Sequence, residues 1–432
     1  MDAAYPFEQA ILRVLECGFI VRAFLMPLSC LHPKPSCAPN ALKMSKTSVG
    51  AQTTFIELQQ ERSQVINSLR FPMALGVVFL HAGLLSEEIK VKADEGIWWM
   101  LRTYDDGIKV LFSVAVPLFF MISSYLFFRS FREHWSWDSY KEKLHRRVYT
   151  LLIPYIIWNV IGAIDWAQNE YRLGHSLNDY FSGYTIWGFL KHFWQSGVHC
   201  DERMNILGMQ FMLDYPADMP LWFVRDLMVM IVLAPLFYFV IKKIGLWLPL
   251  LLFPLFVLDI RLNIQGFSTV AFFFYSIGAW ASLKNIDFTN LSVKGLKYFV
   301  PLAALFFIIV VYAKAFNFQT EDIWKNIFII AGCVAFIGVF TLLQRAGRVK
   351  FMIWLSSASF FIFAAHAFGY LGALQWSRKL LILFFGIPTS EFTAIIMCFA
   401  NPIIATALCV ICYKLLAHYL PRFTAIICGG RV

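Results

Sequence analysis

The chain has 432 residues, of which 59% are hydrophobic and only 15% charged, with 44 phenylalanines and 14 tryptophans. Its mean hydropathy is +0.63. Soluble domains carry roughly 25% charged residues, so a soluble fold is excluded. Long apolar runs, rather than short alternating segments, exclude a β-barrel. The net charge of +10 does not mark a nucleic-acid binder, because Lys and Arg gather in short segments between apolar runs, the positive-inside pattern. The class is an all-α membrane protein.

In chain order, the first fifty residues are irregular. Residues 7–31 are apolar but broken by Arg13, Arg22 and Pro27, which suits neither a span nor a signal peptide. A polar stretch opens at Met44, and translation is expected to start there; residues 1–61 are read as an N-terminal extension. A span needs about 20 apolar residues. Ten are expected, near 70–87, 107–128, 148–167, 220–241, 244–260, 267–284, 297–315, 323–344, 351–374 and 391–417, forming one polytopic helical bundle over 62–420.

The 129–147 segment holds Arg129, Arg132, Lys141, Lys143, Arg146 and Arg147 and is assigned to the cytoplasm. With an even number of spans, both termini are then cytoplasmic, and the membrane is the inner cell membrane. The opposite face receives the acidic 86–106 loop, the long 168–219 loop and short turns near 261, 318 and 380. Within 168–219, aromatic residues at helical spacing around Lys191 and His192 suit an interfacial amphipathic helix. Cys333, Cys398, Cys409 and Cys412 fall in spans and read as small packing residues. Neither a metal site nor a disulfide framework is implied.

The first span carries the most informative pair. Arg70 and His81 lie eleven residues apart in RFPMALGVVFLH, which in a helix is a rise of ~16 Å and about three turns plus 20°. The two share a face, Arg70 near the cytoplasmic edge and His81 towards mid-depth. Ionisable groups in spanning helices are costly and tend to line functional interiors. By the same depth reckoning, His366, Arg225 and Asp226 fall with His81 in the outer half, while Arg146 and Arg147 fall on the side of Arg70. A basic inner mouth can hold a phosphate-bearing donor. A deeper histidine can act as a general base near neutral pH, and an arginine or second histidine can stabilise a developing oxyanion. The plainer reading makes Arg70 an anchoring residue that snorkels, the histidines interhelical hydrogen-bonders, and Arg225–Asp226 a structural ion pair. Ser123 and Ser124 read as close-packing residues.

The chain resembles the acyltransferase-3 family of integral membrane acyltransferases. Arg70 to His81 is similar to the family's Arg/Lys-x10-His signature. VPLFFMISSYLFF at 116–128 is similar to a second motif, with Ser124 where glycine is usual. RRVYTLLIPYIIW at 146–158, PLWFVRDL at 220–227 and SFFIFAAH at 359–366 complete the likeness. The resemblance implies about ten spans and an acyl group, usually acetyl, taken from cytoplasmic acetyl-coenzyme A. It implies a hydroxyl acceptor on a lipid-linked or cell-surface sugar, and no tightly bound cofactor. His81 would be catalytic and Arg70 would serve the donor side. Arg146 and Arg147 would bind the donor, and Trp222, Arg225, Asp226 and His366 would line the substrate site. The rival readings are a secondary transporter of a sugar-related substrate, for which no inverted repeat is visible, and a non-enzymatic sensor or scaffold.

Overall fold

The computed structural model describes residues 46–431 except 84–86, 175, 177–189, 192, 196–199, 207–208, 261–263, 317, 319 and 369–370. The Met44 start and most of the aromatic segment around His192 therefore lie outside the described residues. The chain divides into two units, residues 1–56 and 57–432. Nearly all of the described structure belongs to the second.

The fold is a helical membrane-type bundle with one small β-hairpin. Helix α1 (Lys46–His81) contains Pro72. It is followed by α2 (Glu87–Asp94), α3 (Trp99–Phe112) and α4 (Ala115–Phe128). A short helix α5 (Trp137–Arg147) runs through a π-turn over Val148–Leu152 into α6 (Ile153–Arg172), which opens on Pro154. Strands β1 (Cys200–Ile206) and β2 (Met209–Asp214) pair antiparallel within the expected 168–219 loop.

Helices α7 (Trp222–Val232) and α8 (Ala234–Ile244) form an apolar pair bent by 62° at the break between them. Pro235, at the start of α8, has no N–H to continue the ladder, which accounts for the bend. Then come α9 (Trp247–Val257), α10 (Thr269–Leu283), α11 (Phe288–Ala315) and α12 (Glu321–Arg345). Helices α13 (Lys350–Leu355) and α14 (Ser359–Ala365), separated by a 3-10 turn, precede α15 (Ala373–Phe385), α16 (Glu391–Tyr419) and α17 (Pro421–Ile427).

Among the described residues, six helices are long and apolar enough to cross a membrane, or seven if the bent pair counts as one span. The segments expected to span at 244–260, 267–284 and 351–374 are shorter apolar helices instead. Hydropathy marks burial in apolar surroundings, whether lipid or protein, so it cannot give helix length. The turn expected near 380 is the 13-residue helix α15. The 86–106 loop is likewise largely helical.

Two basic residues of the 129–147 segment bind helix ends. Lys143 Nζ donates to Phe127 O at 2.7 Å, and Arg132 Nε to Ser282 O at 2.8 Å. Lys242 Nζ in turn donates to Arg132 O at 2.9 Å. Cations at helix C-termini satisfy orphan carbonyls and complement the dipole. Among the described cysteines, Cys333, Cys398, Cys409, Cys412 and Cys428 are free thiols. Ser124 is fully buried, its Oγ donating to Met121 O at 3.0 Å. A Cβ placed on Gly278 of α10 would stand 2.1 Å from both Met121 O and Ser124 Oγ. The close helix approach that glycine would give α4 is supplied from the facing helix.

Candidate functional site

The site has two ends, joined by α1. At one end His81 closes α1, and its ring lies 5.2 Å, centroid to centroid, from that of His366. His366 caps α14 and is fully buried. Its Nδ1 sits 2.8 Å from Phe363 O and 3.1 Å from Ile362 O. Both partners are acceptors, so Nδ1 carries the hydrogen and Nε2 is an acceptor. That Nε2 is buried without a protein hydrogen-bond partner. Two imidazoles in contact, one with a free acceptor nitrogen, can receive and hand on a proton.

The helix breaks after Ala365 for a reason visible in the following turn. Leu374 N donates to His366 O at 3.0 Å. Gly372 lies so close that a Cβ there would stand 2.4 Å from Phe368 O. Leu371 N donates to Asp165 Oδ1 at 2.7 Å, tying the turn to α6. Six residues earlier on α6, Asn159 Oδ1 accepts from Asp218 N at 3.0 Å. Between them, Gly162 admits the Ala217–Asp218 backbone, where a Cβ would meet Asp218 N at 3.0 Å. Asn159, Gly162 and Asp165 therefore clasp both the His366 turn and the chain leading into α7. Asp218 is buried, and among the described residues neither of its carboxylate oxygens has a hydrogen-bond partner. Burial, followed by the charge of Asp165, holds its carboxyl well above the usual carboxylate range.

Helix α7 brings Phe223 edge-on to Phe363 at 4.4 Å, and Phe119 of α4 packs on both. Trp222 is half-buried, 6.4 Å from Phe120. Arg225 and Asp226 are almost wholly buried and bind one another, Nε to Oδ1 at 3.1 Å. Arg225 Nη1 also donates to Trp194 O at 2.8 Å, with the guanidinium 5.6 Å from the indole. Asp226 Oδ2 accepts from Ser268 N at 3.4 Å. The pair fixes α7 to the segment before it and to the start of α10.

At the other end, Arg70 and Arg147 are half-buried and near enough for their charges to act on each other. Among the described residues neither makes an ion pair. Arg146 is exposed and bound to Glu142 one turn away on α5. Of the adjacent arginines, Arg147 alone joins Arg70. Half-buried guanidiniums with open N–H groups suit a multiply charged anion. No group of three or more candidate metal ligands occurs among the described residues.

The architecture defines a multi-pass membrane protein in which a half-buried and a buried histidine meet at one end of α1 and two half-buried arginines face each other at the other. The chain belongs to the acyltransferase-3 family: the family's sequence model, an acyltransferase domain, matches residues 64–414. It is similar to the succinoglycan biosynthesis protein ExoH of Rhizobium meliloti (strain 1021), 26% identical over 377 residues, covering 85% of this chain and 92% of that protein. No solved structure matches. The protein is a membrane acyltransferase.

Sequence reasoning paired Arg70 with His81 and brought His366 to the same depth. It missed Asn159, Gly162, Asp165, Asp218 and Gly372 as the clasp. Gly162 and Gly372 are the detectable signals, since glycine in or beside an apolar helix often marks close backbone approach.

Proposed function

We propose that the enzyme moves an acetyl or other short acyl group from cytoplasmic acyl-coenzyme A to a hydroxyl of a cell-surface or lipid-linked sugar. The observation that carries this reading is the contact of His81 with His366 at one end of α1, eleven residues from the open guanidinium of Arg70. The likeness to a succinoglycan biosynthesis protein supports a glycan acceptor. Orientation with the Arg70 end in the cytoplasm rests on the Lys and Arg distribution.

Arg70 and Arg147 bind the phosphates of the donor, and the thioester reaches inward. His81 takes the proton of the acceptor hydroxyl as its oxygen attacks the thioester carbonyl. The tetrahedral oxyanion collapses, the carbon–sulfur bond breaks, and the coenzyme A thiolate leaves and takes up a proton. His366 presents an unpartnered Nε2 beside His81, where it can take up the proton that His81 receives. Arg225, Asp226 and Trp222 shape the acceptor side. Direct base catalysis needs no acyl-histidine intermediate.

The test is transfer from radiolabelled acetyl-coenzyme A in native envelopes at matched expression. Labelled glycan with the wild type and none with His81→Ala supports the assignment. Equal labelling by both refutes His81 as base. Absence of wild-type labelling, with acceptor glycan confirmed present, removes the acetyl-coenzyme A reading.

A further inference from the structure

We propose that Arg431 completes the anion site at the Arg70 end, as a third guanidinium for the phosphates of the donor. The inference rests on the acyl-coenzyme A reading above and extends it to a residue beyond the 64–414 family match.

After α16 the chain reverses. Helix α17 ends in two left-handed glycines, Gly429 at φ 63° and Gly430 at φ 78°. Gly430 N donates to Ala425 O at 2.7 Å, closing the helix in the manner of a glycine C-cap. The turn is pressed on the π-turn that follows Arg147. A Cβ on Gly429 would stand 2.3 Å from Thr150 O, so only glycine fits. Trp158 Nε1 of α6 donates to Ile427 O at 2.9 Å, and Tyr413 Oη of α16 donates to Arg431 O at 3.0 Å. Cys428 is fully buried. A short helix and a four-residue turn are thus fixed at three points.

This holds Arg431 in place. Its Nη1 donates to Cys428 O at 3.1 Å, and its guanidinium lies 5.0 Å from the centre of Phe360. Phe360 precedes His366 by six residues, about 9 Å along a helix, so Arg431 sits on the Arg70 side of the histidine pair. Burial, then Arg70, then Arg147, push its guanidinium down to about 10. It therefore stays charged at neutral pH.

Three arginines converge, and among the described residues no carboxylate pairs with any of them. Elsewhere the chain does pair buried arginine: Arg225 with Asp226 and Arg62 with Asp287. A cluster of like charge without a counter-ion is costly and is satisfied by a polyanion. A diphosphate offers several acceptor oxygens, which planar guanidiniums bind with two N–H groups at a time. Orthophosphate or an anionic lipid headgroup offers the same chemistry with less charge or from another source.

The experiment uses the full chain in phosphatidylcholine nanodiscs, which supply no anionic lipid. Binding of coenzyme A, inorganic pyrophosphate and phosphate-free pantetheine is measured for wild type, Arg431→Gln, Arg431→Lys and Arg422→Gln. Arg422 is exposed on α17 and controls for loss of nearby charge. A charge-assisted contact corresponds to about a tenfold to hundredfold change in Kd. Arg431→Gln should weaken coenzyme A and pyrophosphate by that factor and leave pantetheine unchanged. Arg431→Lys should recover part, and Arg422→Gln should match wild type. Thermal melting of the unliganded protein should be unchanged or higher in Arg431→Gln, which separates lost binding from misfolding.

Equal coenzyme A affinity in wild type and Arg431→Gln overturns this inference and leaves the donor reading intact. Pyrophosphate binding that depends on Arg431, without coenzyme A binding, keeps the phosphate site and removes the donor reading. Binding of neither by wild type removes both. If Arg431→Gln alters only the retention of added phosphatidylglycerol, the site serves lipid and the inference fails.

Discussion

The two ends of the site treat charge in opposite ways. Around His366 the buried charges are largely answered by the protein: Arg225 by Asp226 and Trp194 O, Asp226 by Ser268 N, Asp165 by Leu371 N. Around Arg70, three guanidiniums converge with no acid against them among the described residues. The basic residues of 129–147 sharpen the contrast, since Lys143 and Arg132 are held by helix-end carbonyls. A network satisfied by its own backbone keeps a shape. A network left open is the one that the proposed donor would close.

The largest effect should come at the histidine pair. His81→Ala is expected to lower transfer by about 10²–10⁴-fold, the range of general base catalysis, with melting temperature and coenzyme A affinity kept. A fall in coenzyme A affinity of the same size would make His81 a binding residue instead.

Next comes a direct trial of the comparison. Arg225→Met leaves Asp226 buried and unpaired, a loss of about 3–5 kcal/mol, read as a collapse of melting temperature in detergent. Arg70→Gln relieves repulsion and should not lower the melting temperature, yet should raise KM for the donor about tenfold or more. If Arg70→Gln destabilises as Arg225→Met does, the two ends are alike and the contrast is wrong.

What was legible in the sequence follows from range. Arg70 and His81 share one helix, so the 3.6-residue period alone places them on one face. Helix-bound depth brings His366 to the level of His81. Arg146 and Arg147 were not separable, because a 100° step between neighbours is settled only by what α5 packs against. Asp165 with Leu371, Asn159 with Asp218, and Arg431 with Arg70 are contacts between distant segments, which periodicity does not encode. Helix α15 looks like a turn in the hydropathy because Ser377, Arg378 and Lys379 interrupt it, although an amphipathic helix tolerates them on one face.

A smaller effect tests how α4 meets α10. Gly278→Ala forces a methyl against Met121 O and Ser124 Oγ, an overpacking cost of about 1–3 kcal/mol. Ser124→Gly removes one of the two clashing atoms, so the double variant should recover part of the loss. Strict additivity in the cycle would mean that the two positions do not share the contact.

The smallest effect depends on pH. Asp218 has a carboxyl raised by burial and by Asp165, so the folded protein holds its proton more tightly than the unfolded chain. For an acid shifted upward, its contribution to stability is fully kept below the unfolded value of about 3.9. It is progressively lost as pH rises from there towards the folded value. Asp218→Asn removes that loss while its N–H still reaches Asn159. The variant should therefore melt at or near the wild-type temperature at pH 4 and above it at pH 8, the gap widening with pH. The Asn159 contact is a main-chain one and does not titrate, so it cannot imitate the trend. A gap independent of pH would mean that Asp218 is ionised in the fold, and that its charge is met by a group outside the described residues.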